Sequence, residues 1–221
     1  MDVIKNGLIE AFGGAGGPVL VLCPHTDDEF GCAGTIARLA DAGADLHYVA
    51  FSRCEESVPA GFAADVLEHE CRACTAALGI PPAQVRVLGY RVRHFPAVRQ
   101  EILEDLVRLS RELQPRLVLL PSSFDTHQDH STIFQEGFRA LKYCSILGYE
   151  LPQNLIAFEN SALVVLHKAQ LDRKVSALGQ YVSQGFRPYS TEEFIRGLAR
   201  VRGVQAGGEF GEAFEVVRLV L

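Results

Sequence analysis

Short apolar runs alternate along the first half of the chain with longer stretches of helical periodicity. PVLVLCP (18–24) and RLVLLPS (116–122) are almost purely apolar, DLHYVAFS (45–52) is rich in valine and aromatics, and QVRVLGY (84–90) is a weaker run of the same kind. They predict four strands, and the unbroken character of the first and fourth marks strands covered on both faces of a parallel sheet. Between them, residues 31–44 predict a helix stopped at Gly43 and residues 61–78 a helix ending at Leu78-Gly79 ahead of Pro81-Pro82. Residues 98–113 predict a third, with Ile102, Leu106, Leu109 and Leu113 on one face. Repeated strand–helix–strand order implies right-handed crossovers and a Rossmann-like, three-layer α/β sandwich around a mostly parallel sheet. After 145 the pattern changes. Residues 155–166 predict a strand or hairpin, 170–182 and 191–202 helices, and EAFEVVRLVL (212–221) a last strand. With no long linker, repeat or low-complexity segment, 1–221 reads as one domain. GGAGG (13–17) precedes the first strand, whereas a dinucleotide fingerprint needs its glycines after it, so 1–17 is expected to be a flexible lead-in.

Composition narrows the function classes. A chain of 221 residues with 48% hydrophobic and 22% charged residues buries a core without staples. A net charge of −6 argues against a broad surface for nucleic acid or anionic membrane. No apolar run approaches the roughly 20 residues of a bilayer span. The first residues have no apolar core of a signal peptide. Six scattered cysteines fit a reducing, cytoplasmic setting. Cys71 and Cys74 form a C-x-x-C inside a helical pattern with no second pair to complete a zinc site, so a structural role is expected.

The chemistry sits where two apolar strands stop, the sheet edge at which ligands collect in parallel α/β folds. Pro24-His25-Thr26-Asp27-Asp28-Glu29 follows the first strand, and Ser122 to His130 (SSFDTHQDH) follows the fourth. One acid there would be an ordinary helix cap; three in a row beside a histidine repel one another, and a bound cation relieves that. Imidazoles and a carboxylate suit zinc in an open catalytic site, whereas magnesium has little use for histidine. His25 and Asp28 can face one ion, with a third ligand from the second loop.

PHTDDEFGCAGTIARLADAG resembles the H-P-D-D-E motif and following helix of the PIG-L (LmbE-like) N-acetylglucosaminyl deacetylases, and DTHQDH resembles their D-x-H-x-D-H motif. HECRACTAALGI, KVSALGQYVSQ and GEAFEVVRL resemble later family segments, so the likeness runs over about 18 to 221. It implies an LmbE-like fold and one zinc per chain on His25, Asp28 and His130. Asp27 would be general base on the zinc-bound water. His127 would stabilise the oxyanion and protonate the leaving amine, and Asp129 would orient His127. Thr26 stands where the family has Pro, FSRCEES replaces a T-x-G-E type segment, and Tyr181 stands near a customary His; substrate contacts are therefore not carried over there.

Arg53, just past the second strand, is a weak candidate for substrate contact. Arg86, Arg91, Arg93, His94 and Arg99 read as solvated charge; Arg187-Pro188-Tyr189 is a candidate pocket wall; His47 and His167 are expected to be packed or exposed. The reading is a zinc-dependent hydrolase that removes an N-acyl group, N-acetyl in the first instance, from an amino sugar or glycoconjugate. The substrate would be specialised on its sugar side and the chain free to form homo-oligomers. A two-metal phosphoesterase is kept in view by the surplus acids Glu29, Asp125 and Asp129. A non-catalytic sugar-binding protein is disfavoured by Asp27, which ligation alone does not need.

Overall fold

The computed structural model describes residues 7–220. Seven strands form one sheet in the order β3-β2-β1-β4-β5-β7-β6. β1 is Val19–Cys23, β2 Leu46–Ala50, β3 Val85–Val87, β4 Leu117–Pro121, β5 Ser145–Tyr149, β6 Ala162–Leu166 and β7 Phe210–Arg218. β1 to β5 run parallel, and β7 lies antiparallel between β5 and β6. The chain winds outward from β1 to β3, then returns to place β4 on the other flank of β1. That reversal leaves a crevice beyond the carboxyl ends of β1 and β4.

The α/β sandwich follows from strands apolar on both faces. Leu20, Leu22, Val118 and Leu120 meet Ile102, Leu106 and Leu109 of α4 (Arg99–Leu113) and Ile133 of α5 (Gln128–Ala140). Val19, Val21, Leu117 and Leu119 point the other way, into a layer holding Ile36 of α2 (Ala33–Asp41) and Leu67 and Leu78 of α3 (Val66–Leu78). The same layer takes Leu171 of α6 (Lys168–Leu178) and Ile195 of α7 (Glu192–Gln205). Gly43 and Gly79 follow α2 and α3 with φ of +72° and +96°, the left-handed stops that their sequence positions predict. Cys71 and Cys74 are fully buried in this core.

Three sequence expectations change. β5 and α5 had no predicted counterpart. Residues 155–159 form no strand: Leu155 makes an isolated bridge to Asp125, and Ile156 is 93% exposed. Within the expected lead-in, Gly7–Phe12 form a short helix, α1, and Gly14–Gly16 a single 3-10 turn, while residues 1–6 lie outside the described residues. Among the described residues no helix is long and apolar enough to cross a membrane.

Two buried acids of β7 tie down the elements that carry the candidate site. Glu212 accepts hydrogen bonds from the amides of Gly34 (2.8 Å) and Thr35 (2.6 Å), from Thr35 Oγ1 (2.6 Å) and from Lys174 Nζ (2.7 Å). A carboxylate thus meets the positive end of α2. Glu215 accepts from Ser122 Oγ (2.8 Å), Ser123 N (2.7 Å) and Ser123 Oγ (2.6 Å), where the chain leaves β4. The approach is close enough to require Gly148, since a Cβ there would lie 2.9 Å from Ser122 Cα and 3.0 Å from Glu215 Oε2.

Candidate active site

The loop after β1 and the first turn of α5 meet across the crevice. His25 Nδ1 and His130 Nε2 are 3.1 Å apart, and each lies 3.3 Å from Asp28 Oδ2. His25 Nε2 donates to Asp129 Oδ2 (3.0 Å) and His130 Nδ1 donates to Asp125 Oδ2 (2.8 Å). Those two bonds fix both tautomers, so the remaining ring lone pairs converge with Asp28 Oδ2 on one point. Three lone pairs without a proton between them repel, and a cation relieves the conflict. Ligands 2.0–2.1 Å from a tetrahedral ion would be about 3.3–3.4 Å apart, close to the observed triangle. The three imidazoles also form a looser cluster, with nitrogens within 4.8 Å of one another. The tighter triangle, with Asp28 in place of His127, fits one ion better.

The electrostatics agree. Burial alone would lower the His25 pKa, yet Asp28 and Asp129 raise it well above the ordinary histidine range in the metal-free protein. Asp28 is buried, but His130 and His25 hold it well below the usual carboxylate range.

Asp27 lines the cavity, and among the described residues its carboxylate makes no bond to another side chain. Burial and the neighbouring Asp28 raise its pKa. Glu29 points the other way, accepting from Tyr48 (2.8 Å) and Tyr181 (2.6 Å), and burial raises its pKa to about 7. His127 caps α5: its Nδ1 accepts the Asp129 amide (3.2 Å), which puts the ring proton on Nε2. Burial, then His130 and His25, lower its pKa to about 4.

Two expectations are corrected here. The Asp129 carboxylate serves His25 rather than His127. It also accepts from the amides of Arg93 (2.5 Å) and Phe95 (3.2 Å), because the loop after β3 presses against the start of α5. Despite its burial, those bonds lower the Asp129 pKa. Arg53 does not line the cavity; Glu68 of α3 holds its Nε at 3.3 Å. Asp125, which the sequence kept only as a surplus acid, and Asn154, which donates to Asp125 (3.2 Å) and was assigned no role, are partners of the centre. The signal for Asp125 was its place at the head of the DTHQDH segment, five residues ahead of His130.

The cavity measures about 250 Å³. One wall is the triad with Asp27 and His127; the others include Cys54, Ser57, Val92, Arg93, Gln184, Arg187 and Tyr189. Cys54 (φ +58°) and Arg93 (φ +70°) both take left-handed backbone, a cost that side chains other than glycine bear where the surroundings impose it.

The model of the family described as GlcNAc-PI de-N-acetylase (PIG-L) matches residues 20–141, more than half of the chain. Diacetylchitobiose deacetylase of Thermococcus kodakarensis is 29% identical over 171 residues, 74% of this chain and 59% of that protein. The chain thus spans less than two thirds of that relative's length. N,N'-diacetylchitobiose deacetylase from Pyrococcus horikoshii shares the fold with a TM-score of 0.76 at 22% identity, over 96% of this chain and 89% of that one. GalB, the 4-carboxy-2-hydroxymuconate hydratase from Pseudomonas putida KT2440, does so with a TM-score of 0.74 at 20% identity, over 93% and 98%.

Proposed function

The chain belongs to the GlcNAc-PI de-N-acetylase (PIG-L) family, and from that membership we propose that it is a zinc-dependent amide hydrolase that removes an N-acetyl group from an amino sugar or glycoconjugate. The observation that carries the reading is the convergence of His25, Asp28 and His130 beside a carboxylate, Asp27, that among the described residues is hydrogen-bonded to no other side chain. Two imidazoles, one carboxylate and an open side suit zinc, and a bound zinc ion would supply Lewis acidity, lowering the pKa of water and polarising a carbonyl.

The residues divide the remaining work. Asp27 takes the proton of the attacking water; its raised pKa improves it as a base and leaves it able to hand that proton on. His127, neutral down to about pH 4, turns Nε2–H into the cavity and donates to the oxygen that becomes negative in the tetrahedral intermediate. A neutral imidazole is a poor acid, so the protonated Asp27 delivers the proton to the departing nitrogen. Acetate and a free amine leave. Asp129 and Asp125 hold the two ligand rings in the tautomers that ligation needs.

A two-metal phosphoesterase draws less support, because the surplus acids are engaged: Glu29 with two tyrosines, Asp125 with His130, Asp129 with His25. The test is acetate release from N-acetyl amino sugars by the zinc-loaded protein, abolished by a chelator and restored by zinc. Hydration of an unsaturated acid without acetate release would move the reading toward GalB-type chemistry. Phosphate release would move it to the phosphoesterase.

A further inference from the structure

Three departures from the family pattern meet in the structure. Thr26 lies in the loop after β1, Cys54 of the FSRCEES segment in the loop after β2, and Tyr181 just after α6, and all three are buried. The Tyr181 phenol donates to the Thr26 carbonyl, and Tyr48 of β2 reaches the same oxygen at 3.1 Å. The Thr26 amide hydrogen-bonds the Cys54 sulfur. Thr26 Oγ1, by contrast, is buried yet has no hydrogen-bond partner among the described residues. A buried hydroxyl left unpaired costs free energy, so this position contributes through its peptide groups and not through its side chain.

Those peptide groups sit at a sensitive point. Thr26 separates the ligand His25 from Asp27 and the ligand Asp28. The peptide unit is planar, so holding the Thr26 oxygen also sets the direction in which Asp27 leaves. The same two phenols hold Glu29 on the far side of Asp28, at 2.6 Å from Tyr181 and 2.8 Å from Tyr48. Asp27 and Asp28 are therefore pinned at both ends of their short segment. Proline, which the family has at position 26, would stiffen the loop covalently by fixing φ at about −65°. Threonine does not, and hydrogen bonds from outside the loop take over.

We propose that Tyr181 is a positioning residue that holds the Thr26 carbonyl, so that the loop carrying His25, Asp27 and Asp28 gains by hydrogen bonding the rigidity that a proline would build in. The inference rests on the zinc and base assignments for its effect on activity, but not for its effect on the loop.

The test is a double-mutant cycle of Tyr181→Phe and Thr26→Pro. Tyr181→Phe keeps the ring and removes the donor. In the metal-free protein it should speed amide exchange of residues 25–31 by about tenfold and leave that of β4 unchanged. Zinc affinity, by chelator competition, should fall about tenfold. The kcat for acetate release should fall about 10- to 100-fold with KM little changed. Thr26→Pro alone should change these quantities little. Added to Tyr181→Phe, it should recover most of the loss in exchange protection, zinc affinity and kcat. The urea midpoints should instead be additive, because a proline at 26 cannot replace the bond to Glu29. Thr26→Val, which discards the unpaired hydroxyl and keeps the peptide, should behave as the wild type. If Thr26→Pro disturbs the loop by itself, the exchange of Tyr181→Phe decides alone. A Tyr181→Phe chain with a lower urea midpoint but unchanged loop exchange, zinc affinity and kcat would overturn the proposal and leave Tyr181 a residue of the fold. Additive losses with no recovery by an otherwise harmless proline would overturn it too, as would loss of loop protection in Thr26→Val. Loop exchange that responds as expected in a chain that binds no zinc and releases no acetate would sink the hydrolase reading and leave the tie standing. Zinc-dependent acetate release that Tyr181→Phe leaves untouched would do the reverse.

Discussion

At the scale of single residues, ligation and catalysis are separable because Asp27 and Asp28 are adjacent but differently engaged. Asp28 Oδ2 belongs to the triad, whereas among the described residues the Asp27 carboxylate is hydrogen-bonded to no other side chain. Asp27→Asn should keep bound zinc and lose about 10²–10⁴ in kcat, the usual worth of a positioned base. His127→Ala should keep zinc and lose about 10²–10³, the worth of an oxyanion donor. Loss of zinc in Asp27→Asn, measured by elemental analysis, would move that residue into the ligand set. Glu29 makes a different prediction. Its folded pKa, about 7, lies above the ordinary 4.5, so the folded state holds the extra proton between those values. Stability therefore falls as pH rises from about 4.5 through 7, by up to the order of 3 kcal/mol. Glu29→Gln, neutral throughout, should remove that slope from a plot of urea midpoint against pH; an unchanged slope would mean that Glu29 does not titrate there. That His25 and Asp28 would meet a residue of the second loop was legible from residue type and from the two strand ends; that the residue is His130 came only from the resemblance to the family. The partner of Asp129 was not legible: it depends on which ring the loop after β3 pushes the carboxylate toward, a fact of packing.

At the scale of elements, the strands and helices that read clearly were those with a clean period. β1 and β4 are apolar throughout, and α4 puts Ile102, Leu106 and Leu109 on one buried face. β5, SILGY, was missed because a serine opens it and Gly148 interrupts it; the glycine is there for the close approach of Ser122 and Glu215, which only the fold reveals. α5 was missed for a chemical reason, since its first turn is the Gln128–His130 part of the motif and reads as a loop. What ties down the start of the loop between β4 and α5 was equally invisible, because Glu215 lies 92 residues beyond Ser123. Glu215→Gln can keep its oxygen toward Ser122 Oγ and Ser123 N, but its amide then faces Ser123 Oγ, which loses its acceptor. The substitution should cost about 1–3 kcal/mol of stability and weaken zinc binding roughly tenfold, although it touches no ligand. Competition with a chelator checks the second number. Lower stability with unchanged zinc affinity would show that the β7 anchor supports the fold without positioning the site.

At the scale of the whole molecule, a metal held by the triad would join two halves that the sheet already holds together. β1 and β4 are hydrogen-bonded neighbours, with Val19 opposite Leu117 and Val21 opposite Leu119, and both layers of the sandwich are closed over them. The fold therefore does not need the ion, unlike small domains whose folding energy is metal binding. Zinc would still bind the folded chain in preference to the unfolded one, because only folding brings His25 and His130, 105 residues apart, to 3.1 Å. At a free concentration 100 times the dissociation constant, that linkage is worth about 2.7 kcal/mol. In a chain of this length each kcal/mol moves the melting temperature by about 2–4 °C, so zinc should raise it by roughly 5–10 °C. A chelator should remove the increment and leave a cooperative transition with unchanged far-ultraviolet circular dichroism. Replacing His25, Asp28 or His130 by Ala should abolish the zinc-dependent increment, whereas Asp27→Asn should retain it. Unfolding of the wild-type chain on chelation would contradict the view that the sheet stands alone. An increment that survives in all three alanine variants would place the ion elsewhere and end the assignment of the triad.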